Sequence, residues 1–225
     1  MKITFISDTH SSQSFIPNDD LSSGDLIIHS GDYSNRGFFN ETLDFFEWFS
    51  SLNYEYKIFI AGNHDFIFQD DPNKALEALK SYPDIIYLKD SSFEYSGIKI
   101  WGSPWQPVFY NWAFNLPRNG SEILSKWKMI PGDTDILITH GPPHGILDHL
   151  PSGFNCGCEL LYEEITKYIN PKIHCFGHIH NGYGVRELND TIYINASNLD
   201  EDYKYRNKPI SVEIDEFKKI KYENF

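Results

Sequence analysis

The sequence predicts a mixed α/β fold in which two mixed sheets pack together with helices outside. Three observations carry that prediction. Strand and helix patterns alternate through the first half, strand signals close the second half as a meander, and five apolar runs each stop at a short polar segment. Every sheet or helix must hide an apolar face against another layer, and alternation followed by strands is the pattern of stacked sheets with outer helices.

In chain order, Ile3–Ile6, Leu26–His29 and Ile58–Ala61 are strand-like runs. Between the second and third, Leu43, Phe46 and Phe49, with the nearby Phe45 and Leu52, form an apolar stripe at helical spacing over Glu41–Leu52. Asn40 is placed to cap that helix through its side-chain oxygen. A second helix follows Asp71-Pro72, with Pro72 in its first turn and Ala75, Leu76 and Leu79 facing inward. Ile85–Leu88 is a short strand, and Phe93–Tyr95 and Ile98–Trp101 flank Ser96-Gly97, a two-residue hairpin signal. From Gly102 to Leu116 the chain is aromatic, proline-containing and not periodic; it reads as a satellite cluster under a long loop or as a flat-faced wall of a substrate pocket. Ile136–Ile138 and Ile173–Phe176 are strands around a third helix over about Cys158–Ile169. Its buried side is Leu161, Ile165, Tyr168 and Ile169, and Asn170-Pro171 stops it. Tyr183–Leu188, Ile192–Ala196 and Ile210–Ile214, joined by Asn189-Asp190 and a longer polar loop, make the meander.

At 225 residues, 40% hydrophobic and 16% aromatic, the chain suits one domain over 1–225 with a large core. It carries no linker composition, charge block or repeat. A formal net charge of −13 repels a phosphate backbone, so no stable nucleic-acid complex is expected. Bound metal ions would supply local positive charge for an anionic substrate all the same. Three cysteines without a framework spacing favour a reducing compartment, with the cytoplasm as the expectation. Cys156 and Cys158 read as loop or helix-start residues and Cys175 as a small core hydrophobe. The apolar start is too short for a signal peptide, and no run reaches membrane-spanning length.

The polar segments after the five apolar runs hold the chemistry. They are Asp8-Thr9-His10, Gly31-Asp32, Gly62-Asn63-His64-Asp65, Thr139-His140-Gly141 and Gly177-His178-Ile179-His180. Alternation in a strand puts i and i+2 on one side, so an Asp-x-His or His-x-His pair can chelate. Taken singly, each is as well read as a polar loop residue or a satisfied histidine. Strand ends on one sheet edge converge, however, and so many carboxylate, amide and imidazole groups together point to two metal ions. His29 and His174 lie inside apolar runs and read as core or supporting residues, whereas His144 and His149 could line an entrance.

The ordered set Asp8-x-His10, Gly31-Asp32, Gly62-Asn63-His64-Asp65, His140-Gly141 and Gly177-His178-x-His180 resembles the calcineurin-like metallophosphoesterase superfamily across nearly the whole chain. Within it, residues 100–107, His140-Gly141-Pro142-Pro143 and residues 176–184 are similar to the small metallophosphoesterase-domain proteins. The resemblance implies a four-layer sandwich of two mixed β-sheets flanked by helices, with a dinuclear metal site at the C-terminal strand ends. It implies that Asp8, His10, Asp32 and His180 hold one ion, that Asp32, Asn63, His140 and His178 hold the other, and that Asp32 bridges them. Oxygen and nitrogen ligands without thiolate suit Mn, Fe or Zn. Ions about 3.5–4 Å apart can share a water and lower its pKa to about 7, giving a hydroxide that attacks phosphorus.

His64 is implied as the group that protonates the leaving oxygen, help worth about 10²–10⁴-fold. Asp65 reads as structural. Arg36 invites comparison with the protein Ser/Thr phosphatases, whose related loop pairs an aspartate with the catalytic histidine. Asn35 stands at that aspartate's place here, and an amide cannot stabilise imidazolium by charge. The expected activity is hydrolysis of small phosphodiesters such as cyclic nucleotides. Arg36, Asn63 and Trp105 would touch substrate, since stacking of a base on an aromatic ring is worth about 1–3 kcal/mol. Phosphomonoesterase or protein phosphatase activity, or a non-catalytic scaffold, stays open.

Overall fold

In the computed structural model, which describes residues 1–21, 23–215 and 218–222, strands β1 (Lys2–Ile6), β2 (Gly24–His29), β3 (Tyr54–Phe59) and β4 (Ile85–Tyr87) lie parallel in that order. On the other flank, β13 (Ile210–Ile214) pairs antiparallel with β1, and β14 (Ile220–Tyr222) pairs with β13. The second sheet is built alike. Its parallel centre is β6 (Ile98–Ser103), β9 (Ile136–Thr139), β10 (Ile173–Phe176) and β12 (Thr191–Asn195). Antiparallel edges close it: β5 (Ser91–Tyr95) on β6 and β11 (Gly184–Leu188) on β12. Two six-stranded mixed sheets result, beside a two-residue ladder of β7 (Gln106–Pro107) and β8 (Asn115–Leu116).

Both faces of each sheet are covered, which is why the central strands read as continuous apolar runs rather than alternating ones. Ile3, Phe5, Leu26, Ile28 and Ile58 meet Ile100, Ile136, Ile138, Ile173 and Ile194 between the sheets. Outside the first sheet, Ile27 and Phe59 pack on Phe45, Phe46 and Phe49 of α1 (Phe39–Ser51). Next to α1 lie α2 (Ile67–Asp70) and α3 (Pro72–Leu79). Outside the second sheet, Leu137, Phe176 and Tyr193 pack on Trp127 of α4 (Ser121–Trp127) and Leu161 of α5 (Glu159–Glu164). No described helix is long and apolar enough to cross a membrane.

Several local expectations are corrected. The C-terminal strands are not one meander: β11 and β12 form a hairpin in the second sheet, but β13 crosses to the first and pairs with β1. Asn40 does not cap α1. The Glu41 carboxylate does so instead, accepting the Phe38 N–H at 2.8 Å, because a longer side chain reaches back across the first turn. Leu76 is exposed while Ala75 is buried, so α3 presents a narrower face than its leucines suggest. After α5 the chain widens into a π-turn over Ile165–Ile169, with Asn170 N–H donating to the Ile165 carbonyl at 2.8 Å. That wider turn keeps Ile165 and Ile169 inward and swings Tyr168 out to 67% exposure. Helix α4 and strand β14 carry no signal that the sequence reading used.

Candidate metal centre

The polar segments leave the C-terminal ends of the parallel strands, and the sandwich brings those ends to one edge. Asp8 follows β1, Asp32 follows β2 and Asn63 follows β3, while His140 follows β9 and His178 and His180 follow β10. The loops are laced together. Asp8 N–H donates to the Gly31 carbonyl, His10 N–H to that of Asp32 and Gly177 N–H to that of His140, each at 3.0 Å. A parallel bridge between Ser7 and Ser197 joins the two sheets here. The path is tight enough that Asp8, His10, Asp32 and His178 adopt left-handed backbone, with φ of 54°, 43°, 57° and 67°. Such a conformation costs about 1–3 kcal/mol at a residue with a side chain and persists only where its surroundings enforce it. A Cβ at Gly62 would collide with the Asp32 carboxylate, and one at Gly177 with that of Asp8.

Three overlapping groups of ligand-type atoms form, each with separations within 4.8 Å: Asp8 with His10 and His180, His10 with Asp32 and His64, and Asp32 with His140 and His178. Asp32 Oδ2 lies 3.3 Å from His140 Nε2, 3.8 Å from His10 Nε2 and 3.9 Å from His64 Nε2. Asp8 Oδ1 lies 3.6 Å from His180 Nε2. Asn63 Oδ1 approaches His140 Nε2 at 2.9 Å.

A supporting layer fixes these orientations. His140 Nδ1–H donates to the Ser30 carbonyl and His180 Nδ1–H to the Asp200 carbonyl, both at 2.9 Å, which turns each Nε2 into the cluster. Asp8 accepts from Ser197 Oγ at 2.8 Å and from His178 N–H at 3.0 Å. The buried Asp65 carboxylate accepts from the N–H groups of Asp32, Gly62 and Ser34 and from Ser34 Oγ, tying two loops together without entering the cluster.

Charge follows from this crowding. Burial works to raise the Asp8 and Asp32 carboxyls, yet His180 beside the first and His140 beside the second outweigh it and hold both well below the usual range. Burial likewise opposes charge on His140 and His180, but the neighbouring carboxylates raise both to about 9. His10 goes the other way, pushed down to about 4 by burial. Both its ring nitrogens are buried with no hydrogen-bond partner. Buried polar atoms are almost always satisfied, and an unpartnered imidazole between two carboxylates fits a divalent cation as the missing partner. The donor set of oxygens and nitrogens fits one too.

A sequence model of the family described as calcineurin-like phosphoesterase matches residues 1–182. The chain belongs to that family. It is 41% identical over 230 residues to metallophosphoesterase domain-containing protein 1 of Homo sapiens, covering 93% of this chain and 69% of that one. It is 36% identical over 234 residues to UPF0046 protein C25E10.12 of Caenorhabditis elegans, covering 95% and 81%. Among solved structures, TT1561 of Thermus thermophilus superposes at TM-score 0.65 with 15% identity over 99% of this chain and 98% of that one. Identity that low carries the fold alone. The phosphoesterase is thus a metal-dependent phosphoric ester hydrolase.

Beside the cluster, the phosphoesterase has a cleft of about 480 Å³. Val108, Phe109, Leu150 and Phe154 line it together with His178 and His180. A hollow of about 520 Å³ on another edge, between Lys2, Asp20 and Glu213, holds none of the ligand groups.

Other singled-out residues lie elsewhere. Trp105 does not line the cleft; its Nε1–H donates to Asp90 Oδ2 at 2.8 Å. Arg36 sits with Trp112 at a separate shallow hollow. Asn35 meets His64 through its backbone carbonyl, which accepts from Nδ1–H at 2.7 Å, and not through the side-chain amide. His144 and His149 stay outside the cleft lining, and the described cysteines outside the cluster. The sequence reading missed Ser197 and Asp200, and took Trp112 only as one ring of the aromatic segment between Gly102 and Leu116. Ser197 was within reach, because Ile192–Ala196 is a sixth apolar run ending in a polar pair. Asp200 acts through its backbone carbonyl, which leaves no side-chain signal.

Proposed function

We propose that this phosphoesterase is a phosphodiesterase for small substrates, cyclic nucleotides among them, and that it works with two divalent ions, Mn, Fe or Zn. One ion would be held by Asp8, His10, Asp32 and His180, and the other by Asp32, Asn63, His140 and His178. The observation that carries the reading is the overlap of the ligand groups at Asp32 and His10, with His10 unpartnered on both nitrogens. When bound, such ions neutralise phosphate charge and acidify water.

The chain's own groups do the rest. A water gives one proton to solvent as its oxygen bonds to phosphorus and the ester P–O bond breaks, and His64 Nε2–H passes its proton to the leaving oxygen. The imidazole ends neutral, with Nδ1–H still on the Asn35 carbonyl. Arg36 meets an ester oxygen from the hollow it shares with Trp112. Trp105 serves the loop rather than the substrate.

Two features favour diesters over monoesters. The cleft offers apolar walls to a second esterified group. Arg118, the one Lys or Arg among the described residues lining it, is engaged by Glu159 at 2.8 Å and by the Cys156 and Gly157 carbonyls, so it is poorly placed for a dianion. With added Mn²⁺, bis-p-nitrophenyl phosphate should turn over faster than p-nitrophenyl phosphate, and Asp32→Asn should abolish both. Preference for the monoester would overturn the diesterase reading. No turnover with any divalent metal would favour a scaffold.

A further inference from the structure

We propose that Trp112 is a positioning residue for His64: its indole holds the imidazole so that Nε2 faces the leaving oxygen. The inference rests on the reading of His64 as proton donor. The two rings are stacked, with centroids 4.0 Å apart and 28° between their planes. A histidine ring turns about χ2 over broad wells. The bond from Nδ1–H to the Asn35 carbonyl fixes one atom of the ring but leaves it free to swing about that bond. A flat face laid against the imidazole removes the swing. What remains open is Nε2, 3.9 Å from Asp32 Oδ2.

The segment bearing Trp112 is built to keep that ring in place. Ala113 N–H donates to the carbonyl of Asn63, the residue before His64, at 3.1 Å. Phe114 N–H donates to Gln69 Oε1 at 2.7 Å. Asn115 Nδ2 donates to the Phe109 and Tyr110 carbonyls at 3.1 and 3.0 Å. Ala113 and Phe114 are fully buried. Tyr110 and Phe114 take φ of 47° and 56°, left-handed values that only an over-determined loop retains. The Arg36 guanidinium lies 5.2 Å over the same indole, so one side chain steadies both groups that flank the cluster on this side.

A merely structural tryptophan would affect all substrates alike, whereas one that aims a proton donor matters most where the leaving group needs the proton. Phenol, with a pKa of about 10 like tyrosine, needs it more than nitrophenol does. Relative to wild type, Trp112→Ala should lower kcat on diphenyl phosphate roughly tenfold more than on bis-p-nitrophenyl phosphate, a part of the roughly 10²–10⁴-fold that general-acid help supplies in full. KM and bound metal should hardly change. Trp112→Phe, which keeps a stacking face, should restore most of the difference. Trp112→Leu, which fills space without one, should not, and it serves in place of the alanine variant if that fails to fold. His64→Ala should show the same selectivity, and adding Trp112→Leu to it should do nothing more. If His64→Ala is selective and the Trp112 variants lower both esters equally or neither, Trp112 has no positioning role. If His64→Ala itself lowers both equally, the proton-donor reading falls and this inference with it.

Discussion

Ser197 shows how much of the site lies in residues outside the candidate ligand groups. Its hydroxyl donates to Asp8 Oδ2, while His178 N–H donates to the same carboxylate. Removing one such support typically weakens metal binding about 10–100-fold. If Asp8 holds an ion as proposed, Ser197→Ala should therefore weaken divalent-metal binding by that order in a competition titration with a chelating dye. Unchanged affinity would show that the backbone amide suffices. His174 makes a different case. Its Nε2–H donates to Thr139 Oγ1 at 2.8 Å, the hydroxyl that in turn donates to the Gly141 carbonyl. Burial holds this imidazole down to about 3, from the usual 6.5. The folded state thus refuses a proton that the unfolded chain accepts, so its contribution is full above about pH 6.5 and falls as pH drops from there toward 3. The slope is about 1.4 kcal/mol per pH unit. Urea unfolding at pH 7 and pH 5 should show a smaller acid loss in His174→Gln, which keeps a donor but cannot titrate. Equal losses would mean that the histidine is not held neutral.

At the scale of elements, α1 and the loop before it depend on one side chain. Glu41 accepts N–H groups of Asn35, Arg36 and Phe38 at 3.1, 3.2 and 2.8 Å, and the Ser11 hydroxyl at 3.2 Å. Glu41→Ala should cost about 1–2 kcal/mol, as lost caps do, read as a lower urea midpoint. It should also lower kcat, because the Asn35 carbonyl that holds His64 sits in that loop; an unchanged kcat would detach the loop from catalysis. The stripe of Phe45, Phe46 and Phe49 was legible because helical periodicity is local. The cap was not, because Asn40 is a good capping residue by type and only the geometry of the turn gives the role to Glu41. Tyr168 was misplaced for a related reason: periodicity assumes an α-helical turn, and the π-turn after Glu164 breaks that assumption.

For the molecule as a whole, the two sheets repeat one device. His29 on β2 donates through Nε2 to the Thr9 hydroxyl beside Asp8, as His174 on β10 does to Thr139 beside His140. The edge where the sheets meet buries the Asp8 and Asp32 carboxylates around His10, whose ring nitrogens have no hydrogen-bond partner, and bound ions should satisfy both. A ligand that binds only the folded state adds about 2.7 kcal/mol at a hundred times its Kd. Chelation should therefore lower the thermal midpoint and Mn²⁺ should restore it; no shift in either direction would argue that these residues hold no ion. The identity of the ligand-type residues and the strands that deliver them could be read in the chain, since side-chain chemistry and apolar runs are properties of short segments. Which sheet the last strands join, which backbone carbonyl orients each imidazole, and that Trp112 rather than Trp105 reaches His64 were decided by packing. Those contacts join residues far apart along the chain, and no local pattern encodes the path that brings them together.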